Sequence, residues 1–163
     1  MGFMGKATNI AYDFEEQRLI EEKFTPLILD FLRALTGEEP LDVRSQCLEY
    51  DFKVGNTTYD LKADTVIGKS NNFFIETESV KGKKKGWLYN STDWILYLDT
   101  QYLILYVIEL RELQKNEAVI KQWPYQEINQ KNNYLTCGYL VPIQFLKRKM
   151  SIRQILLRYC LKV

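Results

Sequence analysis

A helical spacing of apolar residues marks the first part of the chain. The apolar positions are Ile20, Phe24, Leu27, Ile28, Phe31 and Leu35. Their intervals of three and four residues predict an amphipathic helix, and Asp13 followed by Glu16 is typical of a capping box at its start. Pro26 is unfavourable inside a helix, so we expect either a kink there or a second helix capped by Thr25. Gly37 predicts the end of the segment.

After this helix the pattern changes to that of extended strands. Apolar and polar residues alternate over 47–54 and again over 57–63, and Gly55-Asn56 between them predicts the turn of a β-hairpin. A second turn over 68–72 leads to another alternating segment over 73–80. We therefore expect three strands in succession.

Two strands, a helix, a strand and a final helix are expected in the second half of the chain. The predicted elements are buried strands over 94–98 and 102–108, a helix over 109–122, a strand over 134–141 and an amphipathic helix that begins at Ser151. This order of helices and strands predicts one α/β domain over residues 1–163, with a mixed central β-sheet flanked by helices.

Composition indicates a globular protein without membrane spans. Of the 163 residues 46% are hydrophobic, which is enough for a sizeable core. No apolar run approaches the roughly 20 residues of a membrane span, and the first residues lack the apolar core of a signal peptide. We therefore expect a soluble, cytoplasmic protein with no membrane partner.

Histidine is absent from the sequence, and this excludes several catalytic classes. Ser-His-Asp and Cys-His nucleophiles, HExxH zinc sites and HNH nucleases all require a histidine. The three cysteines, Cys47, Cys137 and Cys160, are too widely spaced for a CxxC zinc site. The chemistry must then depend on carboxylates, lysines, tyrosines or serines, and magnesium or manganese bound by carboxylates remains open.

Carboxylates follow one another closely on the second and third predicted strands. Asp60-Leu-Lys-Ala-Asp64 ends one strand, and Glu76-Thr-Glu78 lies on the next, twelve residues after Asp64. Because strand side chains alternate between faces, we expect Glu76 and Glu78 to share a face, close to Asp64. Converging carboxylates repel one another unless a cation neutralises them, which suits a hard divalent metal. An alternating Glu-Thr-Glu is also common on the solvated face of a half-buried sheet.

This arrangement resembles the PD-(D/E)xK nuclease superfamily, in which an Asp ends one strand and a (D/E)xK triplet lies on the next. The resemblance covers residues 60–98 and implies a restriction-endonuclease-like core. It also implies that Asp64 and Glu76 hold one or two Mg²⁺ or Mn²⁺ ions for phosphodiester hydrolysis. The lysine position of the triplet is Glu78 here, as in ExE variants of the superfamily. Either Glu78 is a general base, or metal-bound water supplies the hydroxide, or a lysine from elsewhere takes the role, namely Lys62 or one of the lysines in 81–85.

A further carboxylate often comes from the first helix in this superfamily. Extending the apolar face of the predicted helix back by one turn reaches Asp13, Glu16 and Gln17, whereas Glu15 and Glu22 point to solvent. The resemblance therefore makes Glu16 the expected additional metal ligand.

Two basic stretches are candidate phosphate-binding surfaces. The first follows the carboxylate strand directly and contains Lys81, Lys83, Lys84 and Lys85. A solvated lysine-rich turn is an equally good interpretation. The second consists of Lys147, Arg148, Lys149, Arg153 and Arg158, for which solvation of the final helix explains most of the pattern. Because the net charge is only +1, nucleic-acid binding has to depend on such local clusters.

The residues and the resemblance together predict a divalent-metal-dependent DNA nuclease. Since no separate specificity domain is evident, we expect it to recognise DNA structure or ends, or to act as a homodimer, in phage or mobile-element DNA processing. The alternative is a catalytically inactive relative that binds DNA or a protein partner, with Glu78 marking lost catalysis. A plain interaction protein with surface carboxylates is the third interpretation.

Overall fold

Ten β-strands and five α-helices form the described part of the computed structural model, which comprises residues 14–47, 49–131 and 133–159. In chain order these elements are α1 (Phe14–Thr36), β1 (Leu41–Asp42), β2 (Phe52–Val54), β3 (Thr57–Asp64), α2 (Ile67–Ser70), β4 (Asn72–Val80), β5 (Lys84–Lys85), β6 (Trp94–Asp99), β7 (Ile104–Glu109), α3 (Leu110–Lys115), α4 (Glu117–Ile120), β8 (Tyr125–Asn129), β9 (Leu135–Pro142), α5 (Ile143–Lys149) and β10 (Ile152–Leu156). Two 3-10 turns lie at Trp87–Tyr89 and Leu157–Tyr159. None of the helices in these residues is long and apolar enough to cross a membrane.

α1 is a single helix that continues through Pro26, so the alternative of a second helix starting there is wrong. Proline removes one backbone N–H donor, and the hydroxyl of Thr25 donates to the carbonyl of Glu21 (2.8 Å) in the same region. The buried face of the helix includes Thr25, Ile28, Phe31 and Leu32. The predicted end at Gly37 is confirmed by its φ of 71°, a left-handed conformation that favours glycine. The predicted capping residue Asp13 lies outside the described residues.

A six-stranded mixed sheet forms the centre of the fold, in the order β1-β2-β3-β6-β7-β10. β3 and β6 run parallel, and the other neighbouring pairs are antiparallel. The predicted hairpin is confirmed as β2–β3, with Gly55 at a φ of 59° in its turn. In the parallel pair Asp60 lies beside Ile95 and Lys62 beside Tyr97. This register places two charged residues in line with apolar core residues.

Apolar cores lie on both faces of this sheet. α1 covers one face, and the core there includes Ile28, Leu32, Phe52, Leu61, Leu96 and Leu105. A four-stranded antiparallel sheet, in the order β5-β4-β9-β8, covers the other face together with α3 and α5. The core between the sheets includes Phe73, Ile75, Trp87, Ile95, Tyr97 and Leu146. The predicted single α/β domain with a mixed central sheet is confirmed, although a second sheet covers much of one face.

The final amphipathic helix predicted from Ser151 is wrong. The residues after Ser151 form β10, which pairs antiparallel with β7 along its whole length. Pairing satisfies backbone groups that β7 would otherwise leave exposed at an apolar edge. The helix predicted over 109–122 is also shorter than expected, because it breaks at Asn116 into α3 and α4, and β8 follows as a strand that the pattern does not predict.

Gly86 allows β4 and the turn Trp87–Tyr89 to approach each other closely. Its N–H donates to the carbonyl of Thr77 (2.9 Å). A Cβ at this position would lie 2.3 Å from the carbonyl oxygen of Glu76. The glycine is therefore required by space, since its φ of −79° is available to any residue.

We expect Gly86→Ala to lower the free energy of unfolding by about 1–3 kcal/mol, because the backbone of β4 has to shift. Urea denaturation measures the change. Gly82→Ala is the control with a smaller expected loss, since a Cβ there meets no atom within 4 Å and only a φ of 72° opposes it. Wild-type stability in Gly86→Ala would contradict the close approach.

Candidate functional site

β3 loses its neighbour on one side half-way along its length. β2 pairs with β3 only over residues 57–59, so among the described residues no strand lies beside the 60–64 edge. Two side chains take the place of a strand there. The carboxylate of Asp51 accepts the N–H of Leu61 (2.8 Å), and the side-chain amide of Gln17 donates to the carbonyl of Ala63. The open edge of β3 is thus where α1 and the residue before β2 deliver polar groups.

Asp60 and Lys62 form a largely buried ion pair at this edge. They lie two residues apart on β3 and therefore on the same face, with Lys62 Nζ 3.1 Å from Asp60 Oδ2. The side chain of Asp60 is 7% exposed and that of Lys62 is 30% exposed. Charges removed this far from water require partners, so the neighbouring polar groups are arranged around this pair.

Four carboxylates influence Lys62. Burial lowers the pKa of Lys62, but the negative charges of Asp60, Glu76, Glu21 and Asp51 outweigh this effect and raise the pKa above its usual value. The lysine therefore stays an ammonium in the folded protein. α1 supplies Glu21, β4 supplies Glu76, and the β2–β3 region supplies the other two carboxylates. We call these five residues the Lys62 cluster.

Three carboxyl groups of the Lys62 cluster, those of Asp51, Glu76 and Glu21, have raised pKa values. Burial raises the pKa of Asp51, and the negative charge of Asp60 and a hydrogen bond with it raise the pKa further. Burial likewise raises the pKa of Glu76 and that of Glu21, although in both cases the charge of Lys62 opposes the rise. One ammonium does not balance these carboxylates. The cluster therefore favours the uptake of further positive charge, as protons or as a cation.

Asp64, a predicted metal ligand, closes the turn after β3. Its Oδ1 accepts the N–H groups of Val66 (2.6 Å) and Ile67 (2.9 Å). Its Oδ2 accepts the hydroxyl of Tyr97, and that hydroxyl accepts the N–H of Phe74 (3.1 Å) on β4. Both carboxylate oxygens of Asp64 therefore have structural hydrogen bonds that tie β3 to β6 and β4.

A β-bulge separates Glu76 from Glu78. The register of β4 against β9 shifts between these two residues, at Thr77. Glu76 accepts the N–H of Trp87 and belongs to the Lys62 cluster. Glu78 instead accepts the N–H of Gly82 (3.2 Å), which lies in the lysine-rich segment 81–85 that we call the basic loop. The two carboxylates have different partners, although strand alternation alone predicts one shared site.

Glu21, rather than the predicted Glu16, is the α1 carboxylate at the Lys62 cluster. Glu16 is exposed, whereas Glu21 is half-buried and hydrogen-bonded to Gln17. The sequence does contain a signal for the side of α1 that faces β3. Along this side, polar residues in the first turns are followed by apolar residues, at intervals of three and four. These residues are Gln17, Glu21, Thr25, Ile28 and Leu32. The predicted apolar face is rotated by roughly one residue from the buried one.

The basic loop predicted to bind phosphate lies next to the cluster. β5, which contains Lys84, pairs with the end of β4, and the charge of Lys84 opposes the rise in the pKa of Glu76. The other three lysines have separate surroundings: Lys81 pairs with Glu127, Lys85 lies 5.7 Å from the ring centre of Tyr89, and Lys83 is exposed. Lys84 is therefore the lysine of this loop with an electrostatic link to the Lys62 cluster.

Sequence reasoning missed Asp51, Asp60 and Glu21 as site residues. The signal that points to them is Asp60-Leu61-Lys62, in which an acid and a lysine occupy alternate positions on one strand. Such a pair shares one face. The motif offers Lys62 only as an alternative source of a lysine, whereas in the structure it pairs with Asp60 and feels the charges of three further carboxylates.

The oxygen donors of the Lys62 cluster fit a hard divalent cation. Mg²⁺ and Mn²⁺ prefer carboxylate ligands. A positive charge would relieve the repulsion between Asp51 and Asp60, which adds to burial in raising the pKa of Asp51. Within residues 14–47, 49–131 and 133–159, no three Cys, Asp or Glu side chains already have the spacing of a metal site. The carboxylates would therefore have to draw closer around an ion.

Comparisons with known proteins identify no relative. No protein-family model, curated protein or solved structure matches this chain. The chemistry of the site therefore has to be inferred from the Lys62 cluster itself.

We expect Asp64→Ala to lower the free energy of unfolding by about 1–3 kcal/mol, because it leaves the N–H groups of the turn and the Tyr97 hydroxyl without their acceptor. Urea denaturation measures this change, with the exposed neighbour Thr65→Ala as the control. Binding of Mn²⁺ by calorimetry should persist in Asp64→Ala and be lost in Asp60→Ala. Loss of Mn²⁺ binding in a folded Asp64→Ala protein would contradict the structural role.

The stability of the metal-free protein should fall as pH rises from about 4 to about 8. Asp51 releases its proton near pH 4 when unfolded but only at a pKa of about 8 when folded. The folded state therefore binds more protons than the unfolded state in this pH window. Above the window, each unit by which folding raises the pKa lowers the free energy of unfolding by about 1.4 kcal/mol.

Thermal unfolding in EDTA across this pH range tests the effect. Asp51→Asn should flatten the pH dependence, because its amide keeps an acceptor for Leu61 N–H and does not titrate. The exposed Asp30→Asn is the control and should keep the wild-type slope. An identical slope in Asp51→Asn would show that Asp51 ionises normally in the folded protein.

Proposed function

We propose that this chain is a divalent-metal-dependent nuclease that hydrolyses phosphodiester bonds of DNA, with a site of the PD-(D/E)xK type. The observation that carries the proposal is the buried pair of Asp60 and Lys62, 3.1 Å apart on β3. The superfamily motif consists of an acid, followed on the next strand by an acid, any residue and a lysine. The same order occurs here in Asp51, directly before β2, and in Asp60-Leu61-Lys62 on β3. This assignment keeps the resemblance but places the motif on the β2–β3 hairpin, whereas Asp64 and Glu76-Thr77-Glu78 lie on strands of two different sheets.

Asp51, Asp60 and Glu76 would hold the Mg²⁺ or Mn²⁺ ion. They offer oxygen ligands only, and together they carry more negative charge than Lys62 balances. A divalent ion bound there supplies a water of lowered pKa and stabilises negative charge on the phosphate.

The remaining groups of the site bind and orient the substrate. Lys62, kept charged by its neighbours, donates hydrogen bonds from its ammonium to a phosphate oxygen or to the attacking water. Lys84 adds positive charge beside Glu76, where a phosphate has to lie. Gln17 bonds both Glu21 and the carbonyl of Ala63, so it fixes α1 against the edge of β3.

A catalytically inactive protein of this fold that binds DNA or a protein partner is the competing function. Its main support was that Glu78 replaces the lysine of the motif. With Lys62 as the lysine of the motif, Glu78 is free for its hydrogen bond to Gly82 in the basic loop. The presence of a complete acid-acid-lysine set favours the active enzyme.

Cleavage of DNA by the purified protein tests the proposal. We expect the wild type to cut DNA in MgCl₂ or MnCl₂ and not in EDTA. Lys62→Met should lower the rate by about 100-fold or more, because the charged donor to the phosphate or water is lost. Asp60→Asn and Glu76→Gln should abolish metal-dependent cleavage.

Matched variants separate the site from general effects. Glu21→Gln should lower the rate, whereas Glu16→Gln on the same helix is exposed and should not. Glu78→Gln should keep most of the activity, since its partner is the loop. Binding of DNA by the wild type with no cleavage in either metal would support the inactive protein instead.

A further inference from the structure

Charge is unevenly distributed along the chain. Residues 1–127 contain all 21 Asp and Glu and 15 of the 22 Lys and Arg. Residues 128–163 contain the remaining seven Lys and Arg and no acidic residue. A nearly neutral protein thus consists of an acidic portion with a net charge of −6 and a basic portion with a net charge of +7. Such asymmetry is typical of proteins that bind polyanions.

The fold gathers most of these basic residues at one edge of the larger sheet. They lie on α5 and on β10, the last strand in the order of that sheet. The ammonium of Lys147 donates to the side-chain oxygen of Gln154, which ties the end of α5 to β10. Arg148, Lys149 and Arg153 are exposed. We call Lys147, Arg148, Lys149 and Arg153 the basic edge.

The basic edge has no ion pair with a carboxylate among the described residues, whereas several other parts of the described chain do. Among the described residues, ion pairs form on α1, α3 and α4, near β1, on β3 and in the basic loop. Within residues 14–47, 49–131 and 133–159, no carboxylate lies within ion-pair distance of Arg148, Lys149 or Arg153. Glu109 and Glu112 line a cavity of about 290 Å³ together with Arg153, but neither forms an ion pair with it.

Aromatic rings hold two of these lysines in place. Lys147 Nζ lies 5.9 Å from the ring centre of Tyr106, and Lys149 Nζ lies 5.7 Å from that of Phe145. A ring attracts an ammonium without cancelling its charge. Lys147 and Lys149 are therefore partly ordered yet remain positive toward solvent.

We infer that the basic edge is a second binding surface for the sugar-phosphate backbone of nucleic acid. The inference deepens the proposed function and rests on it for the identity of the polymer. Lysine and arginine neutralise backbone phosphates and release their counterions, which supplies sequence-independent affinity. An anionic membrane fits less well, because the exposed large apolar residues of the described chain lie elsewhere. They are Leu19, Leu35, Leu41, Val66, Tyr102 and Tyr125.

The distance between the two surfaces sets the length of the substrate. β10 lies three strands from β3 in the sheet order, or about 14 Å at the usual strand spacing. That span corresponds to about four base pairs of duplex, at a rise of about 3.4 Å each. A polymer held at both surfaces therefore extends at least this far from the bond that the Lys62 cluster would cut.

Salt-dependent DNA binding tests the basic edge. Fluorescence anisotropy in EDTA, over a series of salt concentrations, compares wild type with Arg148→Gln/Lys149→Gln on a duplex oligonucleotide and on its single strand. We expect weaker binding by the double variant. The slope of log K against log salt should fall by about 0.9 for each duplex phosphate that the variant no longer neutralises, and by about 0.7 for each phosphate of the single strand.

Matched variants keep this inference separate from the proposed function. Lys23→Gln/Lys69→Gln removes two exposed charges on α1 and α2 that form no ion pair among the described residues, and it should leave the slope unchanged. The anisotropy assay in EDTA requires no cleavage, so a wild type that binds DNA through the basic edge but does not cut it contradicts the nuclease without touching the basic edge. An unchanged affinity and slope in Arg148→Gln/Lys149→Gln overturns the inference. So does absence of DNA binding by a wild type that binds phosphatidylserine vesicles.

Discussion

The ammonium of Lys62 and the carboxylates around it constrain the rest of the structure. Carboxylates withdrawn from water are costly unless a positive charge or hydrogen bonds compensate them. Lys62 is the cation that α1, the β2–β3 region and β4 share. Removing it would leave Asp60, which is 7% exposed, without its ion-pair partner. The same charged groups therefore determine both the packing of these elements around β3 and the chemistry of the site.

The early end of β2 makes this site possible. A full-length neighbour would have filled the edge of β3 with backbone hydrogen bonds. Instead the carboxylate of Asp51 and the amide of Gln17 complete that edge, and both side chains also contact members of the Lys62 cluster. The same groups thus satisfy the backbone and position the charges, which couples the stability of the sheet to the state of the site.

Local pattern was sufficient where an element is defined by its own residues. The intervals in α1 predicted the helix and its end at Gly37, and alternation around Gly55 predicted the β2–β3 hairpin. The pattern failed where a distant partner decides the outcome. β10 is a strand because β7 offers it an edge, and the shift at Thr77 depends on the register of β4 against β9. Neither partner is visible within a short window of sequence.

The sequence by itself determined the class of fold and the chemistry open to it: an α/β domain, no histidine, and carboxylates with lysines close to one another in the middle of the chain. Only the tertiary structure decided which carboxylates meet. Asp64 accepts a backbone N–H group of the turn after β3, and Glu78 accepts an N–H group of the basic loop. Glu21 and Asp51 interact electrostatically with Lys62. The physical reason is that a charged side chain takes the position in which hydrogen bonds or an opposite charge stabilise it. Those partners act through space and can lie far away in the sequence.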